Sequence, residues 1–336
     1  MNGSIDLSII IVTWKSLEFT RACLASIYST ISGLTFEIIV VDNASGDDSE
    51  RVIVDSFPNV IFIATKQNLG FAKANNLGFS YSSGQTILFL NPDTEVRDNV
   101  FARMVEALRS NSTAGAVGAR LVNSDGSLQA SCVQAYPTIW NQLVDCNILR
   151  RMFPNWSGWG MSALFRVGNV PSAVEAISGA GFMLRRDVFA QVGGFTESYL
   201  MYVEDLDLSY KIGKAGYRIL YLPDCQIIHH GGKSSAQQTP YFVNLQQKAG
   251  IAHFFLSTHG WAHYFSYRAS ISLIALTRLA LVASLVLLNP LTPRKLNGRL
   301  LVGKWFAVFR WAIGQGPAFA TKGKGMSVSD LPEKAI

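Results

Sequence analysis

Three short stretches hold the side chains best suited to chemistry. Asn91-Pro92-Asp93 follows the apolar run ILFL and so places a carboxylate just past a buried strand. Glu204-Asp205 opens a helix-like segment, and His229-His230 ends a later apolar run. Carboxylate and imidazole donors suit Mg2+ or Mn2+ when a diphosphate supplies the remaining oxygens. Each stretch alone has a plainer reading. Asn-Pro and Pro-Asp favour turns, acids at a helix start complement the dipole, and adjacent histidines commonly fill a surface or a core. Their joint occurrence at element ends is what points to a site. A fourth stretch, Asn68-Leu69-Gly70-Phe71, leads to Lys73 and Asn75. Glycine at a helix start lets backbone amides approach an anion, which the helix N-terminus favours, and Lys73 adds a cation. The plainer reading is a helix capped by Asn68. The chain contains neither GxGxxG nor a Walker A sequence.

The elements that must position these groups alternate. Leu7–Thr13, residues 36–41, Val60–Ala64 and Thr86–Leu90 read as strands buried on both faces. Residues 17–31, 48–57 and 71–82 between them are long enough for helices. Such βαβ units imply a mainly parallel sheet with right-handed crossovers. Ligands bind such sheets beyond the strands' carboxyl ends, where this chain places Trp14, Asp42-Asn43, residues 66–68 and Asn91-Pro92-Asp93. Residues 121–172, with Trp140, Trp156 and Trp159, have no clear period and read as an irregular insertion facing a substrate. Order returns at residues 177–184, then a helix from Arg186, a second over 204–215, and closing strands at 217–222 and 226–229.

Composition restricts the class. Of 336 residues, 49% are apolar and 15% charged, which excludes a disordered chain. Cys23, Cys132, Cys146 and Cys225 show no CxxC spacing, so reduced thiols are expected rather than a disulfide scaffold or zinc ribbon. The net charge of +6 is unevenly spread: residues 225–329 hold eleven Lys and Arg and no Asp or Glu. Residues 271–288 form an apolar stretch at the lower edge of spanning length, containing Arg278, and Ser270, Thr277 and Ser284 recur every seventh residue as a thin polar stripe. Pro290 and Pro293 end it. Residues 294–313 then mix Trp305, Phe306, Phe309 and Trp311 with cations, which suits a bilayer headgroup layer. A membrane-seated tail is favoured over a buried dimer helix, and the Leu-rich runs fit nucleic acid poorly. The first apolar run follows Asp6 rather than a basic region, so no signal peptide is read and the body is expected in the cytoplasm.

Six ordered stretches carry a resemblance: IIIVTWKS (9–16), IIVVDNASGDDS (38–49), NLGFAKANNLG (68–78), ILFLNPDT (87–94), SGAGFMLRRDVFAQVGGFTE (178–197) and YVEDLDLSYKIGKAGYRILYLPDCQIIHHGG (202–232). Together they resemble family 2 glycosyltransferases of the GT-A fold, in the subgroup of bacterial rhamnosyltransferases that assemble cell-envelope polysaccharide. The likeness implies an α/β GT-A domain over residues 1–240 and leaves 241–336 as a helical, membrane-associating tail. It implies that Thr13, Trp14 and Asp42 hold base and ribose, and that Asn68, Gly70 and Asn75 close over the nucleotide, with Lys73 nearby. Asn91-Pro92-Asp93 stands at the family's DxD motif, with Asn91 replacing the first acid and Asp93 left as the metal carboxylate. His229 matches the metal histidine, with His230 as a fallback. Asp205 matches the catalytic base, and Glu204 would orient it or bind an acceptor hydroxyl.

The implied reaction is an inverting, Mg2+- or Mn2+-dependent transfer from a nucleotide-sugar, with dTDP-L-rhamnose favoured, to a polyprenyl-diphosphate-linked glycan. It would take place at the cytoplasmic face of a bacterial inner membrane, with the enzyme peripheral or monotopic. A sugar nucleotidyltransferase would instead carry a Gly-rich basic loop after its first strand, where this chain has Thr13-Trp14-Lys15-Ser16. A non-catalytic, membrane-tethered sugar-binding protein draws support from Asn91 alone.

Overall fold

The computed structural model describes residues 4–144, 152–153, 156, 170–199, 201–231, 240–288 and 298–315. In chain order the elements are β1 (Leu7–Thr13), α1 (Leu17–Thr30), β2 (Phe36–Asp42), α2 (Ser49–Ser56), β3 (Val60–Ala64), α3 (Phe71–Ser80), β4 (Thr86–Leu90), β5 (Thr94–Glu95), α4 (Val100–Ser110) and β6 (Ala114–Val122). They continue with β7 (Val133–Gln134), α5 (Ile139–Leu143), β8 (Ser172–Val174), β9 (Ala176–Ile177), β10 (Gly181–Arg185), α6 (Arg186–Gln191), α7 (Glu204–Lys214), β11 (Arg218–His229), α8 (Pro240–His259), α9 (Trp261–Leu288) and α10 (Gly298–Ala312). The described residues fall into two compact units: those up to Tyr136 together with 170–231, and 137–156 together with 240–315.

The first unit is a sheet with a core on each face. Successive strand side chains point to opposite faces. Ile9, Ile11, Ile38, Val40, Leu88 and Leu90 therefore enter one cluster, while Ile10, Val12, Ile39, Val41, Ile87 and Phe89 enter the other. That two-sided burial is why the strands read as unbroken apolar runs. Helix α1 lays Cys23, Leu24 and Ile27 on the first cluster, about 1.5–3 kcal/mol for each large side chain.

The strand order is β3-β2-β1-β4-β10-β6-β11-β5, with β8 paired to β11. Pairing is parallel from β3 through β4 and between β6 and β11, while β10 runs antiparallel to both its neighbours. The carboxyl ends of β1, β2, β4, β6 and β11 consequently share one edge with the amino end of β10. The two closing strands expected at 217–222 and 226–229 are one strand, irregular between Leu222 and Gln226. Pro223 interrupts it because proline has no ladder N–H. Residues 121–136 are also less irregular than expected. Strand β6 runs on to Val122, and β7 pairs with β9.

In the second unit α8, α9 and α10 enclose Phe255, Tyr267, Ile271, Ala275, Val308 and Trp311, with Ile139 of α5 packed against them. Gly260, at φ 81, makes the left-handed turn between α8 and α9. Within α9, Trp261–Ser284 contains an 18-residue window of mean hydropathy 1.3 and is, by length and composition, long and apolar enough to cross a membrane. Pro290, Pro293, residues 294–297, Cys146 and Trp159 lie outside the described residues. Cys23, Cys132 and Cys225 are buried free thiols.

Candidate active site

The turn after β4 is tied to the end of β11. β5 pairs Thr94 with His229, and His230 N donates to Asp93 O at 2.9 Å. These bonds bring two side chains from distant parts of the chain together. His229 Nε2 lies 3.3 Å from Asp93 Oδ1 and 3.3 Å from Asn91 Nδ2. On the ring's other side, Nδ1 lies 2.9 Å from Gln129 Oε1. The orientation of that amide is fixed, because Gln129 Nε2 donates to His229 O at 2.6 Å and to Asn123 Oδ1 at 2.7 Å. Gln129 Oε1 therefore accepts and Nδ1 carries a proton, which leaves Nε2 as the nitrogen that faces Asp93 and Asn91. With Nε2 unprotonated, Asn91 Nδ2 can donate to its lone pair, and a cation beside Asp93 Oδ1 and Nε2 would have both as ligands.

A divalent ion fits this donor set. Among the described residues no group of three or more His, Cys, Asp or Glu converges as a cage. Asp93 and His229 would supply two positions and leave the others to oxygens from a ligand, as Mg2+ sites commonly do. Asn91 is uncharged and turns its amide toward the imidazole. His230 faces elsewhere, with Nδ1 2.8 Å from Ser124 Oγ and Nε2 3.4 Å from Glu95 Oε2.

The acid pair begins α7. The two residues before it, Tyr202 and Val203, have φ of 68 and 73. For a β-branched residue that conformation is an outlier costing about 1–3 kcal/mol. Asp205 is well held: its Oδ2 accepts from Gly179 N at 2.9 Å and Gln134 Nε2 at 3.4 Å, and its Oδ1 from Leu206 N at 2.8 Å. Gly179 adjoins Ala180, whose carbonyl accepts from Asn91 N at 3.2 Å, so the acid pair borders the turn after β4. Burial pushes the Asp205 carboxyl up, and these N–H donors oppose the rise. Glu204 is raised by burial and then by the charge of Asp205, and its Oε2 is buried without a hydrogen-bond partner. Asp207, one turn along the helix, accepts from Thr196 Oγ1 at 2.6 Å and Tyr199 OH at 3.2 Å, which fixes α7 to the preceding loop.

The remaining expected residues divide into two sets. Trp14 is half-buried at the edge, with the Lys15 ammonium 5.4 Å from its ring centre. Asp42 ends β2, accepts from the hydroxyl and the N–H of Ser45, and is pushed up chiefly by burial. Asn43, placed by the sequence at a strand end but given no role, donates to Asn68 Oδ1 at 2.9 Å and accepts from Leu69 N at 2.7 Å, tying β2 to the loop before α3. Asn68 is not the helix cap. Gly70 takes that place at φ 78, and Asn68 Oδ1 accepts from Gly70 N at 2.9 Å in a local turn. Lys73 is exposed. Thr13 and Asn75 point inward. Thr13 Oγ1 lies 2.8 Å from Thr20 Oγ1, and Asn75, 1% exposed, donates to Phe71 O at 3.0 Å.

Comparison with known proteins decides the family. Residues 8–193 match the sequence model described as Glycosyl transferase family 2. The chain belongs to glycosyltransferase family 2. This glycosyltransferase is 29% identical over 245 residues to the N-acetylglucosaminyl-diphospho-decaprenol L-rhamnosyltransferase of Mycobacterium tuberculosis, covering 69% of this chain and 78% of that one. It is 25% identical over 170 residues to rhamnosyltransferase WbbL of Escherichia coli, covering 48% of this chain and 61% of that one. Its fold matches that of the mannosyltransferase PcManGT from Pyrobaculum calidifontis, solved with GDP-Man and Mn2+, with a TM-score of 0.55, 17% identity and coverage of 94% and 88% of the two chains. The glycosyltransferase thus has the GT-A architecture and uses a nucleotide-sugar.

Proposed function

We propose that the enzyme transfers L-rhamnose from dTDP-L-rhamnose, with inversion, to a hydroxyl of a polyprenyl-diphosphate-linked glycan during envelope polysaccharide synthesis at the cytoplasmic face of the membrane. The name of the decaprenol-linked rhamnosyltransferase of M. tuberculosis supports the rhamnosyl group and the lipid-linked acceptor class. The observation that carries the reading is the 3.3 Å approach of His229 Nε2 to Asp93 Oδ1 at the carboxyl edge of the sheet.

In this reading Trp14 and Asp42 hold the base and ribose. Thr13 supports them from within, and Asn68 and Gly70 close the loop over the nucleotide. Asn75 stiffens the first turn of α3, and Lys73 adds positive charge. Asp93 and His229 hold Mg2+ or Mn2+, with Asn91 alongside. When bound, the ion supplies Lewis-acid stabilisation of the departing diphosphate. Asp205 takes the acceptor hydroxyl's proton as that oxygen bonds to the anomeric carbon. The Gly179 and Leu206 N–H groups keep its carboxylate aimed, and Glu204 contacts the acceptor or orients Asp205. A single displacement inverts the anomeric centre and needs no nucleophilic side chain.

The test is a panel of dTDP-, UDP- and GDP-sugars with Mg2+ or Mn2+ and a polyprenyl-diphosphate-linked acceptor. The expected result is release of dTDP from dTDP-L-rhamnose. Preference for another donor overturns the rhamnosyl assignment, and pyrophosphate release from a nucleoside triphosphate overturns the transfer itself.

A further inference from the structure

Exposed apolar side chains are concentrated in the second unit. Among the described residues, eighteen large apolar side chains are exposed, and thirteen belong to that unit. They arise from two places in the sequence. Trp261, Phe265, Leu273 and Leu276 lie on α9, whereas Trp140 and Trp156 come from the segment between the two parts of the first unit, their rings 6.4 Å apart. Exposed apolar side chains scattered singly are ordinary, whereas their concentration in one unit marks an interaction surface.

The charges of α9 are arranged to leave that surface neutral. One side of the helix, Tyr267, Ile271, Ala275 and Val282, is buried. Arg268 is turned toward α10: its Nε donates to Ala312 O at 2.9 Å, its Nη2 to Trp311 O, and its guanidinium lies 5.1 Å from the Trp311 ring centre. Arg278 lies 5.7 Å from the Trp305 ring centre. Between 261 and 284 the exposed residues of α9 include no Lys, Arg, Asp or Glu. The cations of residues 225–329, with no acid among them, provide the complement of an anionic surface.

We infer that the second unit, including the described residues between 139 and 156, is a seat for an anionic lipid bilayer, and that α9 lies along one leaflet rather than crossing it. The inference rests on the membrane-associating reading of the tail and settles its geometry. Arg268 and Arg278 are ten residues apart, or about 15 Å along a helix. A crossing helix would carry at least one of them through hydrocarbon about 30 Å thick, where a guanidinium is costly. A helix in the plane keeps both on its protein-facing side and sinks one uncharged face to a uniform depth of about 5–10 Å. Trp140 and Trp156, part of the insertion over 121–172 expected from sequence to face a substrate, are assigned to the lipid side.

The test uses the full chain and sealed vesicles of phosphatidylethanolamine with phosphatidylglycerol. Phe265→Cys, Leu276→Cys and Ala283→Cys, each with Cys146→Ser, are spin-labelled and their depths measured. Expected are flotation with the vesicles, equal shallow depths at the three positions, and a roughly tenfold loss of vesicle partitioning on combining Trp140→Ser with Trp156→Ser. Flotation with a depth that rises to a maximum, or with position 283 reachable only from the lumen, overturns the in-plane geometry and leaves membrane association standing. Full partitioning of the Trp140/Trp156 variant, with an unchanged near-UV spectrum, overturns the role of 139–156. No flotation, with a dimer whose formation shields the three labels, overturns the membrane reading and assigns the face to a second copy of the chain.

Discussion

Gln129 illustrates chemistry that side-chain type alone does not announce. Asp93, His229 and Asp205 stood out in the sequence because acids and imidazoles at strand and helix ends are suspicious by kind. An amide carries no such signal, and Gln129 becomes meaningful only once folding sets its oxygen 2.9 Å from His229 Nδ1. Partners of this sort fix the tautomer and typically alter metal affinity by 10–100-fold. Gln129→Leu is therefore expected to weaken Mn2+ binding by about that factor, read by electron paramagnetic resonance of free Mn2+, with nucleotide affinity in the absence of metal unchanged. Equal Mn2+ affinity would remove the amide from this role. Asp205→Asn is expected to lower transfer by about 10²–10⁴-fold while sparing donor binding by calorimetry. Because burial raises the Asp205 carboxyl and the base must be ionised, kcat/KM should climb with pH through a value above the ordinary carboxylate range. Glu204 gives the matching stability prediction. Its folded value is raised above the ordinary 4.5, so its contribution is full below that value and is lost as pH rises through the folded one. Glutamine cannot ionise, and Oε2 has no partner to lose. Glu204→Gln should therefore gain stability over the parent progressively from pH 5 to pH 9 in urea titrations, and a constant difference would refute the assigned cause.

At the level of elements, what could be read in advance followed burial on both faces. The four strands β1 to β4 announced themselves as β-branched runs, because both sides of each had to be apolar. The two- and three-residue strands β5, β7, β8 and β9 did not, since so short a pairing carries no period. Yet β5 is what brings Asp93 to His229. The loop between α6 and α7 was similarly silent, although it sets the acid pair. Asn76 holds this loop through its amide: Nδ2 donates to Phe195 O at 2.9 Å, and Phe195 N donates to Oδ1 at 2.9 Å. From there Thr196 and Tyr199 reach Asp207 on α7. Asn76→Ala strands two backbone groups of a residue that is 2% exposed, at about 1–3 kcal/mol. Urea unfolding should show that loss, accompanied by a lower kcat with little change in donor affinity. A loss of kcat with full stability would assign Asn76 to the chemistry instead.

At the scale of the whole molecule, the sequence marks residues 225–329 as basic, free of acids and apolar, and the described residues fall into two compact units. It did not reveal that the described residues between 137 and 156 group with those of the tail, because Ile139 declares its partner only through packing against the core of α8, α9 and α10. That core also bears on any attempt to detach the tail. A chain ending near residue 265 would keep α8 but lose Tyr267, Ile271, Ala275, Val308 and Trp311 from around Phe255. It is expected to aggregate rather than become cleanly soluble. Salt is the gentler probe of the proposed binding to lipid. Raising NaCl from about 0.1 M to about 1 M shortens the Debye length from about 10 Å to about 3 Å, which removes most of the attraction between exposed cations and anionic headgroups. Burial of Trp261, Phe265, Leu273 and Leu276 is insensitive to that screening. Vesicle partitioning should therefore fall several-fold and then level off, and the residual binding should be lost when Phe265, Leu273 and Leu276 are all replaced by Gln. Elution by salt alone would mean that the cations act without the apolar face, and indifference to salt that the reverse holds.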